Sequence, residues 1–258
     1  MNYNHYLKID TLLSLQKPVS EGPEHDETLF IIVHQVYELW FKEVLHELDY
    51  LCEVLRENDS SLALNTLKRL STIFRTLIGQ IDILETMTPL NFVSFRGRLE
   101  KASGFQSLQF REVEFLFGLK SERKMAQYPV ASQAHQQLSK RYQQPGVWDA
   151  FLHYLVLNQY AIPETALNRD ISQVVTPNLA LQPILIDIYR HNPIITQICE
   201  YFVDLDAALQ EWRFKHVKMV ERTIGHKSGT GGSSGVAYLE STLSQTIFPD
   251  LWQIRTEF

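Results

Sequence analysis

Cysteine is scarce in this chain of 258 residues, which contains only Cys52 and Cys199. The two lie far apart, and neither belongs to a CxxC pair, a zinc-type cluster or a CxxCH haem-attachment motif. Long apolar runs are missing too: no stretch of about 18 apolar residues occurs, and no basic-then-apolar signal opens the sequence. These absences predict a reduced, cytoplasmic compartment, with neither export nor membrane insertion.

An excess of positive charge is also missing, since the net charge is −6 at neutral pH. Without a global basic field, the composition does not favour nucleic acid or a membrane surface as a partner. The alternating pattern typical of strands is nearly absent, whereas helical periodicity dominates. Because we find neither an internal repeat nor a linker, the sequence predicts one all-α domain, a helical bundle over residues 1–258.

Apolar stripes and capping residues predict where the helices lie. The predicted helices cover 26–56, 60–88, 104–118, 147–160, 178–189 and 194–224, with a short amphipathic turn at 91–99. Gly225 is a typical residue just past a helix end. From about 120 to 145 the composition turns polar, which predicts a variable surface excursion that holds at most one helix.

One histidine, His216, lies in the apolar stripe of the longest predicted helix. A buried ring nitrogen needs a partner, so this histidine is either satisfied by a neighbouring polar group or bound to a metal. The stripe recurs at spacings of three and four residues, through Phe202, Leu205, Leu209, Trp212, His216 and Val220.

Three further windows hold residues that suit a binding site. Phe30 and His34, four residues apart, share one helix face that could line a cavity. Phe92 and Arg96 combine an aromatic wall with a guanidinium that matches a carboxylate. The loop at 229–235 has four glycines and three hydroxyl residues, so its N–H groups could converge on an anion. Each window also has an interpretation without a binding role. His34 could be a histidine at the edge of the core, Arg96 a surface arginine, and the loop a flexible connector.

The nine histidines narrow the choice of metal. They form no HxH, HxxxH or HExxH pair, whereas zinc and non-haem iron need three or more protein ligands. Haem needs as few as one, because the porphyrin supplies four nitrogens. Two isolated helix histidines near aromatic residues, His34 and His216, are compatible with positions on either side of a haem.

Several long segments are closely similar to those of bacterial tryptophan 2,3-dioxygenases. They span nearly the whole chain in the order of that family, and the likeness is weakest from about 120 to 200. The segments are YNHYLKIDTLL at 3–13, HDETLFIIVHQVYELWFKEVLHEL at 25–48, ILETMTPLNFVSFRGRL at 83–99, SGFQSLQFREVEF at 103–115 and WRFKHVKMVERTIGHKSGTGGSSGVAYL at 212–239.

The resemblance implies a helical enzyme with one non-covalent haem b per subunit, ferrous in its active form. It also implies the reaction, in which both atoms of O2 enter the indole C2–C3 bond of L-tryptophan to give N-formyl-L-kynurenine. This reaction is the first step of tryptophan catabolism by the kynurenine pathway. By the same resemblance His216 is the iron ligand, His34 bonds the indole N–H and Phe30 walls the indole pocket. Arg96 would pair with the substrate carboxylate, and Thr230 would contact the ammonium and carboxylate.

The remaining implied roles concern the edges of the pocket. The resemblance implies a homotetramer in which Tyr3, Tyr6 and Leu7 cover the pocket of a neighbouring subunit. Ser103 would lie close to the haem edge. Phe92 stands where some relatives have tyrosine, which removes a hydroxyl but keeps the apolar wall.

Three alternatives remain open at this stage. The nearest is a related haem enzyme that monooxygenates an indole or a modified tryptophan. A second is a haem-based oxygen or redox sensor, although Arg96 and Thr230 form a zwitterion-binding pair that a gas sensor would not need. The third is a haem-free helical interaction protein.

Overall fold

Helices are the only regular elements in the part of the chain described by the computed structural model, which covers residues 1–22, 24–100, 102–225, 227 and 235–258. This confirms the prediction of an all-α fold. Among these residues no helix is both long and apolar enough to span a bilayer.

Two helices of 32 residues dominate the fold, and both lie close to where the stripes predict them. The α-helices are α1 (Tyr3–Leu7), α2 (Ile9–Leu12), α3 (His25–Arg56), α4 (Ser60–Leu84), α5 (Pro89–Arg96), α6 (Leu108–Leu116), α7 (Glu122–Met125), α8 (Gln133–Gln143), α9 (Val147–Leu157), α10 (Glu164–Leu167), α11 (Gln182–His191), α12 (Pro193–Ile224), α13 (Val236–Glu240) and α14 (Pro249–Gln253). Short 3₁₀ turns occupy Gly97–Leu99, Gly104–Gln106 and Ile254–Glu257.

The core forms where α3 and α12 both pack against α4, with α6 and α9 also on α3. Its centre is fully buried and consists mainly of leucine and phenylalanine, including Leu48, Leu51, Leu67, Leu70, Phe151 and Phe202. A second, smaller apolar cluster lies beside it and includes Val33, Ile81, Leu84, Met87, Phe95 and Met219. This second cluster forms one wall of the cavity described below.

Polar side chains cap the N-termini of several helices. The side chain of Asp59 accepts the Leu62 N–H at 2.9 Å at the start of α4, and Asn192 accepts the Ile195 N–H at 3.1 Å at the start of α12. Each acceptor satisfies a backbone donor that the helix itself leaves without a partner. At the other end of α12, Gly225 takes a φ of 60°, which glycine adopts without strain.

Several boundaries differ from the sequence prediction. The helix expected at 60–88 ends at Leu84, and the helix expected at 104–118 begins at Leu108 and ends at Leu116. The turn expected at 91–99 is the helix α5, begun by the Thr88 side chain and Pro89. The helix expected to reach Tyr160 ends at Leu157, because Gln159 takes a positive φ of 68°. The helix expected from Asn178 begins at Gln182, since the Asn178 N–H is bonded to Asp250 at 2.8 Å instead.

The polar segment 120–145 contains two helices, α7 and α8, where the sequence predicts at most one. Ion pairs connect this segment to α6 and α3. Lys124 lies 3.0 Å from Glu114, and Arg141 lies 3.2 Å from Glu112 and 2.5 Å from Asp49. The composition of the segment does not predict these ion pairs, because the carboxylates that accept them lie on other helices.

The N-terminal segment extends from the body of the chain. Residues 1–14 contain no buried side chain, and Tyr3 and Tyr6 are 72% and 71% exposed. The base of the segment is fixed to α3, where the Glu27 carboxylate accepts the Val19 N–H at 2.7 Å and the Ser20 N–H at 3.1 Å. The segment thus leaves large apolar side chains mostly exposed in this chain.

The C-terminal segment is held by one buried carboxylate on α12. Asp206 accepts the backbone N–H groups of Ile247 and Phe248 at 2.8 and 3.1 Å and the indole N–H of Trp252 at 2.9 Å. The side-chain amide of Gln210 donates to it as a fourth group, at 3.0 Å. A charged acceptor stabilises a fold more than neutral hydrogen bonds do, and its removal leaves these donors without a partner.

We therefore expect Asp206→Ala to lower the free energy of unfolding by about 2–4 kcal/mol. Urea denaturation followed by circular dichroism would measure this. Asp204→Ala is the matched control, because Asp204 is exposed on the same helix and should change stability by less than about 0.5 kcal/mol. Equal effects of the two substitutions would contradict the role assigned to Asp206.

Candidate active site

A cavity of about 290 Å³ lies between α3, α4, α5, α6, α12 and α13. Aromatic side chains supply much of its wall: Phe30, Tyr37, Phe41, Phe92, Phe110 and Trp212. Aliphatic residues of the second apolar cluster complete that side. A cavity with apolar walls and a few polar groups is typical of a site for a small molecule or cofactor.

His34 projects from α3 into this cavity. Its Nδ1 atom lies 2.7 Å from the carbonyl oxygen of Phe30, so Nδ1 carries the proton and donates to that oxygen. The remaining nitrogen, Nε2, is then a free acceptor. Burial lowers the pKa of His34, although the Phe30 carbonyl and Glu38 oppose the shift. The ring is therefore neutral near pH 7 and can accept a hydrogen bond.

His216 faces the same cavity from α12. Its ring stacks on Trp212, with centroids 5.5 Å apart and planes 5° from parallel. Burial, and to a smaller extent the nearby His34, lower the pKa of His216 to about 4. The ring keeps partial accessibility because it borders the cavity. A neutral imidazole with its lone pair available is what an iron ligand requires.

Arg96 and Phe92 reach the cavity from α5. This helix is fixed by the buried Phe95 and by a hydrogen bond of 2.6 Å from the Asn91 amide to Asp26 at the start of α3. Phe30 and Phe92 lie with ring centroids 5.8 Å apart. Arg96 thus borders the same cavity as Phe30 and Phe92.

Ser103 also lines the cavity, whereas Tyr3, Tyr6 and Leu7 do not line it in this chain. Tyr3, Tyr6 and Leu7 are exposed on the N-terminal segment, so any contact with a cavity would involve another subunit. Thr230 and most of the glycine-rich loop lie outside the described residues.

A charged wall of the cavity was not predicted from the sequence. Glu38, Arg111, Glu114 and Arg213 all line it, and Glu114 lies 2.5 Å from Arg111. Burial alone would raise the pKa of Glu114, but the neighbouring cations lower it below its usual value. The spacing of Arg111 and Glu114, three residues apart, was the available signal, because it puts both on one helix face.

No three His, Cys, Asp or Glu residues of the described ranges lie close enough together to hold a metal ion. Both cysteines are buried and free.

Comparison with known proteins identifies the family. A family model described as tryptophan 2,3-dioxygenase matches residues 1–156 and 169–258. The chain belongs to the tryptophan 2,3-dioxygenase family. A tryptophan 2,3-dioxygenase of Herpetosiphon aurantiacus is 58% identical over 257 residues, covering 100% of this chain and 98% of the relative. A protein of the same name from Anaeromyxobacter sp. (strain K) is 50% identical, covering 99% of this chain and 95% of the relative. Another from Arthrobacter sp. (strain FB24) is 44% identical, covering 100% of this chain and 92% of the relative.

The family named in the sequence analysis is thereby confirmed, and with it the prediction of a tryptophan-oxidising enzyme. Membership of this family implies a haem cofactor. The neutral, cavity-facing His216 and the apolar walls fit such a group.

The lowered pKa of His216 predicts how stability depends on pH in the chain without haem. The unfolded chain binds a proton at His216 below about pH 6.5, whereas the folded chain does so only below about 4. The free energy of unfolding should therefore fall as the pH drops from 6.5 to 4, by up to about 3 kcal/mol from this residue.

Urea denaturation at several pH values in this window would measure the slope. His216→Gln should reduce it, leaving the smaller contribution of His34. His46→Gln is the control, since His46 is exposed on α3. Parallel curves for His216→Gln and the unmodified chain would contradict the assignment.

Proposed function

We propose that this chain is a haem-dependent dioxygenase that inserts both atoms of O2 across the indole C2–C3 bond of L-tryptophan, giving N-formyl-L-kynurenine. The observation that carries the proposal is that His34 and His216 border one apolar cavity from different helices, with Arg96 on the same cavity. Family membership specifies the reaction, and the cavity supplies the residue types that it needs. The alternative is monooxygenation of an indole or a modified tryptophan by a related haem enzyme.

His216 would be the residue that binds the iron of a non-covalent haem b. Its stacking on Trp212 fixes the ring orientation, and its low pKa keeps the lone pair free of a proton. Ser103 is the candidate contact at the haem edge, because it borders the cavity. The haem, when bound in its ferrous form, supplies the iron that binds and activates O2.

The substrate would be held at both of its ends. Arg96 suits the carboxylate, because a guanidinium pairs with it through two parallel hydrogen bonds. Thr230 is the candidate second contact to the carboxylate and ammonium. At the other end, Nε2 of His34 can accept the indole N–H, while Phe30 and Phe92 face the ring.

Orientation is the main task of these side chains. Tryptophan supplies all the electrons that the product requires, so the reaction needs no external reductant. Holding the indole in one position removes much of the entropic barrier to its reaction with O2. His34 would act as an acceptor that orients the ring rather than as an obligate base, because an indole N–H is a very weak acid.

The N-terminal segment suits the role of a cover. Tyr3, Tyr6 and Leu7 are exposed, and burial of their apolar surface by another subunit would be favourable. We infer that they close the cavity of a neighbouring subunit in a homotetramer. The buried, free cysteines Cys52 and Cys199 are consistent with the cytoplasm as the compartment.

The direct test is to identify the product formed from L-tryptophan under ¹⁸O2. We expect N-formylkynurenine that carries two ¹⁸O atoms, measured by mass spectrometry with the haem absorption bands recorded in parallel. His216→Ala should lose the haem bands and the product together. A product with one ¹⁸O atom would support the monooxygenase instead, and absence of turnover with intact haem bands would support a sensor.

Arg96→Ala tests the carboxylate contact. Loss of a partly buried charge-assisted contact should cost about 2–5 kcal/mol, so KM for tryptophan should rise by at least about 30-fold while the haem spectrum stays unchanged. Arg98→Ala is the matched control, because Arg98 is exposed two residues further along and does not line the cavity. Loss of haem with an unchanged KM would contradict the role of Arg96.

A further inference from the structure

One buried carboxylate joins the base of the N-terminal segment to the start of α3. Glu27 is 1% exposed, and its oxygens accept the Val19 N–H at 2.7 Å and the Ser20 N–H at 3.1 Å. The Ser20 hydroxyl donates to the same carboxylate and accepts the Glu24 N–H at 3.1 Å. Three donors from two consecutive residues therefore meet one charged acceptor, and such bonds are stronger than those between neutral groups.

These hydrogen bonds keep the Glu27 side chain charged. Burial alone would raise the pKa of its carboxyl, but the hydrogen bonds from Ser20 and Val19 hold the pKa below its usual value. A carboxylate accepts at both oxygens, which suits three donors, whereas an amide accepts at only one atom. Glutamine at this position would turn an NH₂ group towards another donor.

The rest of the N-terminal segment is held less firmly. Ser20 is the first residue of the chain whose side chain is buried. Before it, the Gln16 amide donates to the side-chain oxygen of Gln35 at 2.6 Å, and the Gln35 amide donates to the Leu15 carbonyl oxygen at 3.3 Å. Neutral hydrogen bonds near the surface contribute little, because water competes for them. The bonds to Glu27 are therefore the strongest constraint on where the segment points.

This attachment lies on the cavity side of α3. Glu27, Phe30 and His34 are spaced by three and four residues, so they share one face of the helix. The preceding residue, Asp26, accepts the Asn91 amide of α5 at 2.6 Å. The base of the segment and the wall formed by α5 thus attach to the same turn of α3. The segment therefore starts at the edge of the cavity of its own chain.

We propose that Glu27 is a positioning residue that acts on the cavity of a neighbouring subunit. It fixes the direction in which the segment leaves α3, and so places Tyr3, Tyr6 and Leu7 over the tryptophan site next door. These three side chains are exposed and do not line the cavity of their own chain, and Glu27 does not line it either. The proposal rests on the tryptophan-oxidising function and the covering segment proposed above.

Glu27→Gln is the first test. A loosely directed segment covers the site for less of the time, so KM for tryptophan should rise by about tenfold. The haem centre is untouched, so kcat and the haem spectrum should stay nearly unchanged. Titration of the ferric haem bands with tryptophan should show the same rise in Kd without turnover. Ser20→Ala removes one of the three donors and should raise KM by less; it carries the comparison if Glu27→Gln does not fold.

Glu47→Gln is the matched control. Glu47 is another buried carboxylate of α3, 3% exposed and bonded to Arg69 at 2.6 Å, and it does not line the cavity. Its substitution removes a buried charge from the same helix without touching the N-terminal segment. KM should equal that of the unmodified protein. An equal rise in both variants would mean that only the stability of α3 matters, and would overturn the proposal.

Mixed oligomers separate action on a neighbour from action within one chain. Glu27→Gln subunits with one affinity tag are co-expressed with His216→Ala subunits that carry another, and oligomers holding both tags are purified. The His216→Ala subunit, without haem, is silent in turnover but keeps an unmodified N-terminal segment. Some Glu27→Gln cavities then receive that segment, so a component with the KM of the unmodified protein should reappear. Arg96→Ala replaces His216→Ala if the latter does not assemble.

A single raised KM in the mixed oligomers would overturn action on a neighbour and assign the effect to one chain. An unchanged KM in Glu27→Gln, or an unmodified protein that is monomeric by size-exclusion chromatography yet fully active, would overturn the proposal too. Each of these results leaves the proposed function intact. Absence of tryptophan oxidation by the unmodified haem-loaded protein would instead refute that function.

Discussion

The packing of α3 and α12 against the common support α4 is the constraint on which the site depends. It brings His34 and His216 to one cavity although 182 positions, counted from 34 to 216, separate them in the chain. A hydrogen bond of 2.7 Å from the Tyr37 hydroxyl to the Leu77 carbonyl joins α3 to α4 at the cavity wall. The core below is therefore what fixes the relative position of the two rings.

Burial gives the two histidines their chemical character as well as their position. An imidazole in water would be partly protonated near neutral pH, and a protonated ring can neither bind iron nor accept a hydrogen bond. The apolar wall around His216 lowers its pKa to about 4 and removes this competition. The same aromatic residues thus shape the cavity and keep its ligands in the basic form.

The sequence predicts the long elements well and the short ones poorly. The stripes of α3, α4 and α12 extend over many turns, so their periodicity is unambiguous. Helices such as α5 and α7 have eight and four residues, too few for a periodic signal. The start of α11 depends on a bond between Asn178 and Asp250, which are 72 residues apart. In the site, stripes and resemblance predict His34, His216 and Arg96, whereas the approach of Arg213 to Glu114 emerges only once α6 is known to pack near α12.

The cavity combines an apolar lining with charged groups, and this limits what can occupy it. Its lining includes Phe30, Phe92 and members of the second apolar cluster, together with Glu38, Arg111, Glu114 and Arg213. A purely apolar occupant would offer the charged groups of the lining no polar contact, and a purely polar one would leave the aromatic surface without apolar contacts. An aromatic amino acid combines an apolar ring with a carboxylate, and Arg96 is the lining residue proposed to bind that carboxylate.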